Sequence, residues 1–191
     1  MRIIAGTLKG RRLVTPGFEG LRPTSDKLRE TLFNVIAGRV QDSTVLDGFA
    51  GTGAMGLEAL SRGAAHVTFV DPDPRAVALI HENLQRCGVA DRSLVIKARF
   101  IDASSQLTRA PFDLILLDPP YNERDFPGVI QAAARLIEPN GLVVLEHARR
   151  SAVPVTSGAL TSVRMLVSGD SALTFYERQM SSEKQPAAHE R

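Results

Sequence analysis

The sequence predicts an α/β domain built on a mostly parallel, doubly wound sheet, and three observations predict it. From residue 44 onward, five short apolar runs alternate with stretches of helical spacing, a rhythm that requires parallel strands joined by crossover helices. The runs Leu114-Ile115-Leu116-Leu117 and Leu142-Val143-Val144-Leu145 show no polar alternation, as expected of strands covered on both faces. Near the end the pattern changes: Val163 to Val167 and Ala172 to Tyr176 flank Gly169-Asp170 and read as an antiparallel hairpin closing the sheet.

The elements follow in order. Ile3 to Gly6 and Arg11 to Val14 are strand-like runs about a Lys9-Gly10 turn, giving a small amino-terminal hairpin. Thr24 or Ser25 caps a helix whose apolar face comprises Leu28, Thr31, Leu32, Val35 and Ile36, with Lys27 away from it and Gly38 at its end. Strands Thr44 to Asp47, His66 to Asp71, Ser93 to Ala98, Phe112 to Asp118 and Gly141 to Glu146 enclose helices at Ala54 to Ser61, Pro74 to Cys87, Asp102 to Leu107 and Phe126 to Ile137. The division expected is a basic hairpin and helix over 1–40, an α/β domain over 41–178, and a polar, patternless, disordered tail over 179–191.

With 191 residues and 43% hydrophobic content, the chain is long enough for one substantial core. No apolar run approaches the roughly 20 residues of a membrane span, and the first residues lack the apolar stretch of a secretory signal. A soluble, cytoplasmic, monomeric protein is expected. The single cysteine, Cys87, excludes an internal disulfide, and the scattered His66, His81 and His147 form no ligand set, so no metal is expected. Residues 1–40 carry eight basic residues against three acidic, a local +5, so the remainder of a chain of net charge +2 sums to −3. A basic leading segment suits a polyanionic partner.

Two motifs carry chemistry. Strand Thr44 to Asp47 runs into Gly48-Phe49-Ala50-Gly51-Thr52-Gly53-Ala54-Met55-Gly56, a G-x-G-x-x-G turn entering a helix, where backbone approaches a nucleotide closely. Asp71, ending the next strand twenty residues after Gly51, is placed to accept hydrogen bonds from ribose hydroxyls. Asp47 at the mouth of the loop would repel a pyrophosphate but favours the cationic methionine end of S-adenosylmethionine. This makes a nicotinamide oxidoreductase the poorer reading.

The second motif is Asp118-Pro119-Pro120-Tyr121 at the carboxyl end of a buried strand, where ligands of open α/β sheets bind. A base amine is a weak nucleophile because its lone pair is delocalised into the ring. The Asp118 carboxylate and the Pro119 carbonyl can each accept one of its N–H groups, turning the lone pair outward. Pro120 stiffens the loop, and Tyr121 can stack on the extruded base. Arg2, Arg11, Arg12, Arg22 and Lys27 are the candidate phosphate contacts.

The segments Arg2-Ile3-Ile4-Ala5-Gly6, Gly10-Arg11-Arg12-Leu13 and Leu21-Arg22-Pro23-Thr24-Ser25-Asp26-Lys27-Leu28-Arg29-Glu30-Thr31-Leu32-Phe33-Asn34 resemble the amino-terminal signature of a known family. With Leu46 to Gly53 and Gly56 to Ala64, they make the chain similar to the bacterial methyltransferases that modify the N2 amino group of one guanine in 16S ribosomal RNA. The resemblance covers roughly residues 2–178. It implies the class I S-adenosylmethionine-dependent methyltransferase (Rossmann-like) fold, a seven-stranded, mostly parallel sheet with a closing antiparallel hairpin. It implies that Asp47, Phe49, Ala50, Gly51, Thr52 and Gly53 hold the methionine moiety, Asp71 the ribose, and Asp118 to Tyr121 the target amine. The partner implied is 16S rRNA in the small ribosomal subunit or its assembly intermediate. In such families a polar residue after the third strand binds the adenine amine. Here Asp102 is the candidate, slightly displaced, with Phe100 or Arg99 packing on the adenine as the alternative. Two rivals remain: an amino-methyltransferase acting on adenine N6 or another amine, and a catalytically silent RNA-binding assembly factor.

Overall fold

The computed structural model describes residues 1–15, 26–107, 111–120 and 123–179. The strands β1 (Thr44–Asp47), β2 (His66–Asp71), β3 (Ser93–Lys97), β4 (Phe112–Leu117), β5 (Ile137–Ala148), β6 (Thr156–Ser157), β7 (Leu160–Ser168) and β8 (Ser171–Arg178) form one sheet. Their order is β3-β2-β1-β4-β5-β8-β7-β6. From β3 across to β5 every pairing is parallel; β8 runs antiparallel to β5 and β7. Seven strands match the expected sheet, and the two-residue β6 adds a short edge beside Leu160 and Thr161. Because β1 pairs with both β2 and β4, the winding reverses there and leaves a crevice beyond their carboxyl ends.

Among the described residues five α-helices cover the sheet: α1 (Asp26–Val35), α2 (Ala54–Ser61), α3 (Pro74–Cys87), α4 (Phe100–Ser104) and α5 (Phe126–Ala134). On one face Val45, Leu114, Leu116 and Val144 pack with Leu57 of α2, Ile80 and Leu84 of α3, and Leu28, Leu32 and Phe33 of α1. On the other, Leu46, Ile115, Leu117 and Val143 pack with Phe100 and Ala103 of α4 and Val129 and Ile130 of α5. Leu46 thus faces one layer and its neighbour Val45 the other, the alternation of a strand covered on both sides.

The amino-terminal segment is joined to this core. Its hairpin holds one antiparallel bridge, Arg2 with Arg12, flanked by hydrogen bonds from Ile3 N to Arg11 O (3.0 Å) and from Leu13 N to Met1 O (3.2 Å). Ile3, Leu8 and Leu13 enter the same cluster as α1 and α2. The Glu58 carboxylate of α2 accepts the amides of Ile4 (2.8 Å) and Ala5 (3.0 Å), and the Ser61 hydroxyl accepts that of Leu8 (3.0 Å). Gly6, with φ of +83°, runs so close that a Cβ there would lie 1.8 Å from the Ser61 carbonyl oxygen.

Three local departures from the sequence reading have physical causes. On α1, Val35 is exposed whereas Arg29 is buried, because the guanidinium finds the Arg2 carbonyl (2.5 Å), Asp26 (3.0 Å) and, at 3.7 Å, Glu58. Helix α4 begins at Phe100 rather than Asp102, since Phe100 fills the core beneath the glycine loop, 5.6 Å from the Phe49 ring. Helix α5 ends at Ala134 rather than Ile137, and strand β5 begins at Ile137 rather than Gly141, pairing with Phe112 across a register shift, so Pro139 and Asn140 lie inside a strand. The tail expected from 179 onward lies outside the described residues beyond Gln179.

Candidate active site

The crevice is built from three adjacent strand ends. Asp47 ends β1, is buried, and accepts the Gly56 amide at 3.0 Å, fixing the strand end to the first turn of α2. Burial pushes its carboxyl up to about 7; the hydrogen bond from Gly56 opposes this, and the charges of Asp118 and Asp71 add to it. Asp71 ends β2 and is also buried. Its two oxygens accept the amides of Gly51 (2.8 Å) and Asp73 (2.9 Å), so one carboxylate links the second strand to the glycine loop. Burial raises its pKa, and those two hydrogen bonds work against the rise.

Between them the chain turns tightly. Gly51 (φ +55°) and Gly53 (φ +77°) take the left-handed conformation, which only glycine adopts without strain. The Gly53 amide meets the Ala50 carbonyl at 2.7 Å, so Ala50, Gly51, Thr52 and Gly53 form one closed turn leading into α2. Phe49 is half-buried above Phe100. Asp118 follows β4 half-buried, Pro119 is buried and Pro120 exposed; the Glu123 amide closes on the Pro120 carbonyl at 2.8 Å. Asp118 acts on Asp47 electrostatically, which places the two motifs in one crevice. Tyr121 lies outside the described residues.

Asp102 is exposed on α4, Arg99 is exposed before it, and Phe100 is core. Arg2, Arg12 and Lys27 are exposed, as is Arg11, which donates to the Arg86 carbonyl at 2.9 Å; Arg22 lies outside the described residues. His147 is locked in place, Nε2 2.8 Å from the Thr174 hydroxyl and Nδ1 2.9 Å from the Ala148 carbonyl. Among the described residues no group of His, Cys, Asp and Glu could hold a metal ion.

Sequence reasoning missed Asn83. It is wholly buried in α3, accepts the Val14 amide (2.7 Å), and donates to the carbonyls of Val14 (3.2 Å) and of Thr52 in the glycine loop (3.0 Å). The signal was available: Ala76, Ile80, Asn83, Leu84 and Cys87 share the buried face of α3, and an amide within such a stripe needs partners.

The donor set is anionic and poorly solvated, with carboxylates at the ends of β2, β1 and β4. A cationic amino-acid group fits Asp47, whose charge is otherwise opposed by Asp118 and Asp71, and a ribose fits Asp71, whose remaining lone pairs can accept hydroxyls.

The family model described as Conserved hypothetical protein 95 matches residues 1–177. The chain belongs to this family. The Conserved hypothetical protein 95 match takes in the basic segment and the sheet together. The chain is 41% identical over 154 residues to the ribosomal RNA small subunit methyltransferase D of Haemophilus influenzae, covering 76% of this chain and 78% of that one. It is 34% identical to the protein of the same name from Escherichia coli strain K12, covering 96% of this chain and 92% of that one. The solved structure of yhhF from Escherichia coli superimposes with a TM-score of 0.83 at 32% identity, covering 94% and 98% of the two chains. The fold is that of the class I S-adenosylmethionine-dependent methyltransferases.

Proposed function

We propose that this chain methylates the exocyclic N2 amine of a guanine in the 16S rRNA of the small ribosomal subunit. It is an S-adenosylmethionine-dependent rRNA methyltransferase. The observation that carries the reading is the convergence of Asp71, Asp47 and Asp118 at the ends of three neighbouring strands, with a glycine turn between the first two. Asp47 and the loop Phe49 to Gly53 hold the methionine moiety, Asp71 the ribose, and Asp102 or its neighbours the adenine edge. When bound, S-adenosylmethionine supplies an electrophilic methyl group on a cationic sulfur that leaves as a neutral thioether.

The protein's own part is positioning and charge. The Asp118 carboxylate and the Pro119 carbonyl each accept one N–H of the amine, bringing its lone pair out of the ring plane. Tyr121 stacks on the base. As the N–C bond forms, nitrogen becomes cationic, and the adjacent Asp118 stabilises that charge until the proton passes to solvent. Arg2, Arg11, Arg12, Arg22 and Lys27 meet phosphates of the same RNA, working as a monomer in the cytoplasm on a subunit or its assembly intermediate.

The direct test is transfer of radiolabelled methyl from S-adenosylmethionine to small subunits from cells lacking this gene, followed by nucleoside analysis. Label in N2-methylguanosine at one position supports the reading; label in another nucleoside, or none, defeats it.

Two further results are expected. Asp71→Ala removes both the anchor of the Gly51 amide and the ribose acceptor, so S-adenosylhomocysteine binds roughly 10- to 100-fold more weakly, as calorimetric titration will read. The raised Asp47 carboxyl gives a pH dependence. Its folded value near 7 lies above the unfolded value of about 4, so its contribution to stability is full below pH ~4 and declines as pH rises through 7. Free protein therefore loses stability over that interval, while a cationic ligand draws the carboxyl into its ionised form and tightens with pH. Asp47→Asn should flatten both trends in thermal melts and binding curves measured from pH 5 to pH 8.

A further inference from the structure

The geometry points to Glu146 as the residue that selects guanine over adenine; this rests on Asp118 holding the base amine as set out above. Leu117 of β4 pairs with Leu145 of β5 in parallel register. The residues that follow this last pair are Asp118, just past the end of β4, and Glu146, still within β5, so the two carboxylate-bearing positions are neighbours across the end of the sheet. Along β5, Glu146 alternates onto the face shared by Leu142 and Val144, and Val144 is in line, through Leu116, with Asp47. Glu146 is only 8% exposed, so a base meeting it does so with little competing water. Its neighbour His147 is committed to Thr174 and the Ala148 carbonyl.

The chemistry of the two purines makes this position decisive. Guanine presents the N1–H donor next to its N2 amine, whereas adenine presents the bare N1 acceptor next to its N6 amine. Once Asp118 and the Pro119 carbonyl take the two amine hydrogens, the adjoining ring position lies one strand further along. A carboxylate there accepts the N1–H of guanine in a charge-assisted bond and repels the N1 lone pair of adenine. Asp118 alone treats the two amines alike; Glu146 reads the atom beside them.

The test uses small subunits reassembled with 16S rRNA carrying either guanine or 2-aminopurine at the methylated position. 2-Aminopurine keeps the amine at C2 but has an unprotonated N1. Wild-type protein is expected to methylate guanine roughly 10- to 100-fold faster than 2-aminopurine. Glu146→Gln, whose amide can donate to the bare N1, should slow guanine and not 2-aminopurine, bringing the ratio toward one with KM for S-adenosylmethionine and melting temperature unmoved. Equal slowing of both substrates would mean a structural role, and no change in either would mean no contact; both overturn the assignment. Absence of transfer to guanine by wild-type protein defeats the reading of the reaction itself and is seen separately.

Discussion

Asp118→Ala should lower turnover by at least ~10²–10³-fold, the usual cost of removing one preorganised group that meets charge developing in a transition state. Cofactor affinity should stay within a few-fold, because Asp47, the glycine loop and Asp71 are held by their own backbone hydrogen bonds with Gly56, Gly51 and Asp73. Asp118→Asn keeps an acceptor for one N–H and loses only the charge, so its rate should fall between wild type and alanine. A second signature follows from the crevice. The charge of Asp118 helps to raise the Asp47 carboxyl, so either substitution should shift the pH dependence of cofactor binding toward lower pH. Single-turnover methyl transfer with binding titrations over pH reads both effects. Near-normal turnover in Asp118→Ala would show that the amine is held by something else.

Glu58→Ala should be the most damaging substitution for stability, at about 3–5 kcal/mol. The carboxylate is fully buried and receives the amides of Ile4 and Ala5 and the Arg62 guanidinium at 2.7 Å, with Arg29 Nε 3.7 Å away. Its removal leaves a buried guanidinium whose pKa burial already lowers and Glu58 helps to restore, together with two amides lacking their acceptor. For a domain of this size the loss corresponds to a drop on the order of 10 °C in melting temperature. Glu58→Gln, which can still accept amide hydrogens, should lose less. A loss below about 1 kcal/mol in denaturant titrations of Glu58→Ala would show that apolar packing of Ile3, Leu8 and Leu13, not this cluster, holds the segment.

The strands and the ends that bear the site were legible because each carries its own local signal. An apolar run stops at Asp47, Asp71 or Asp118, and glycines or prolines follow where the backbone turns. What was not legible depends on partners far along the chain. Glu58 sits in an apolar helix and reads as an ordinary polar position until Ile4 and Ala5 are seen against it. The Arg29 guanidinium, counted in the basic charge of the leading segment, is buried because the Arg2 carbonyl and Glu58 receive it. Pro139-Asn140-Gly141 has the composition of a turn, yet the start of β4 draws Ile137 into the sheet. The apolar face assigned to α1 included Val35 because spacing alone does not set how a helix is rotated on its core.

The seating of the basic segment also sets an order of events during synthesis. Ile4 is 54 residues from Glu58, and Val14 is 69 residues from Asn83, so the basic segment cannot reach its hydrogen-bond partners until α2 and then α3 have emerged. Closing such long loops is costly before the contacts they bring are gained. A segment made before its partners is thus among the later parts to settle, and the glycine loop acquires its bond from Asn83 only when α3 is in place.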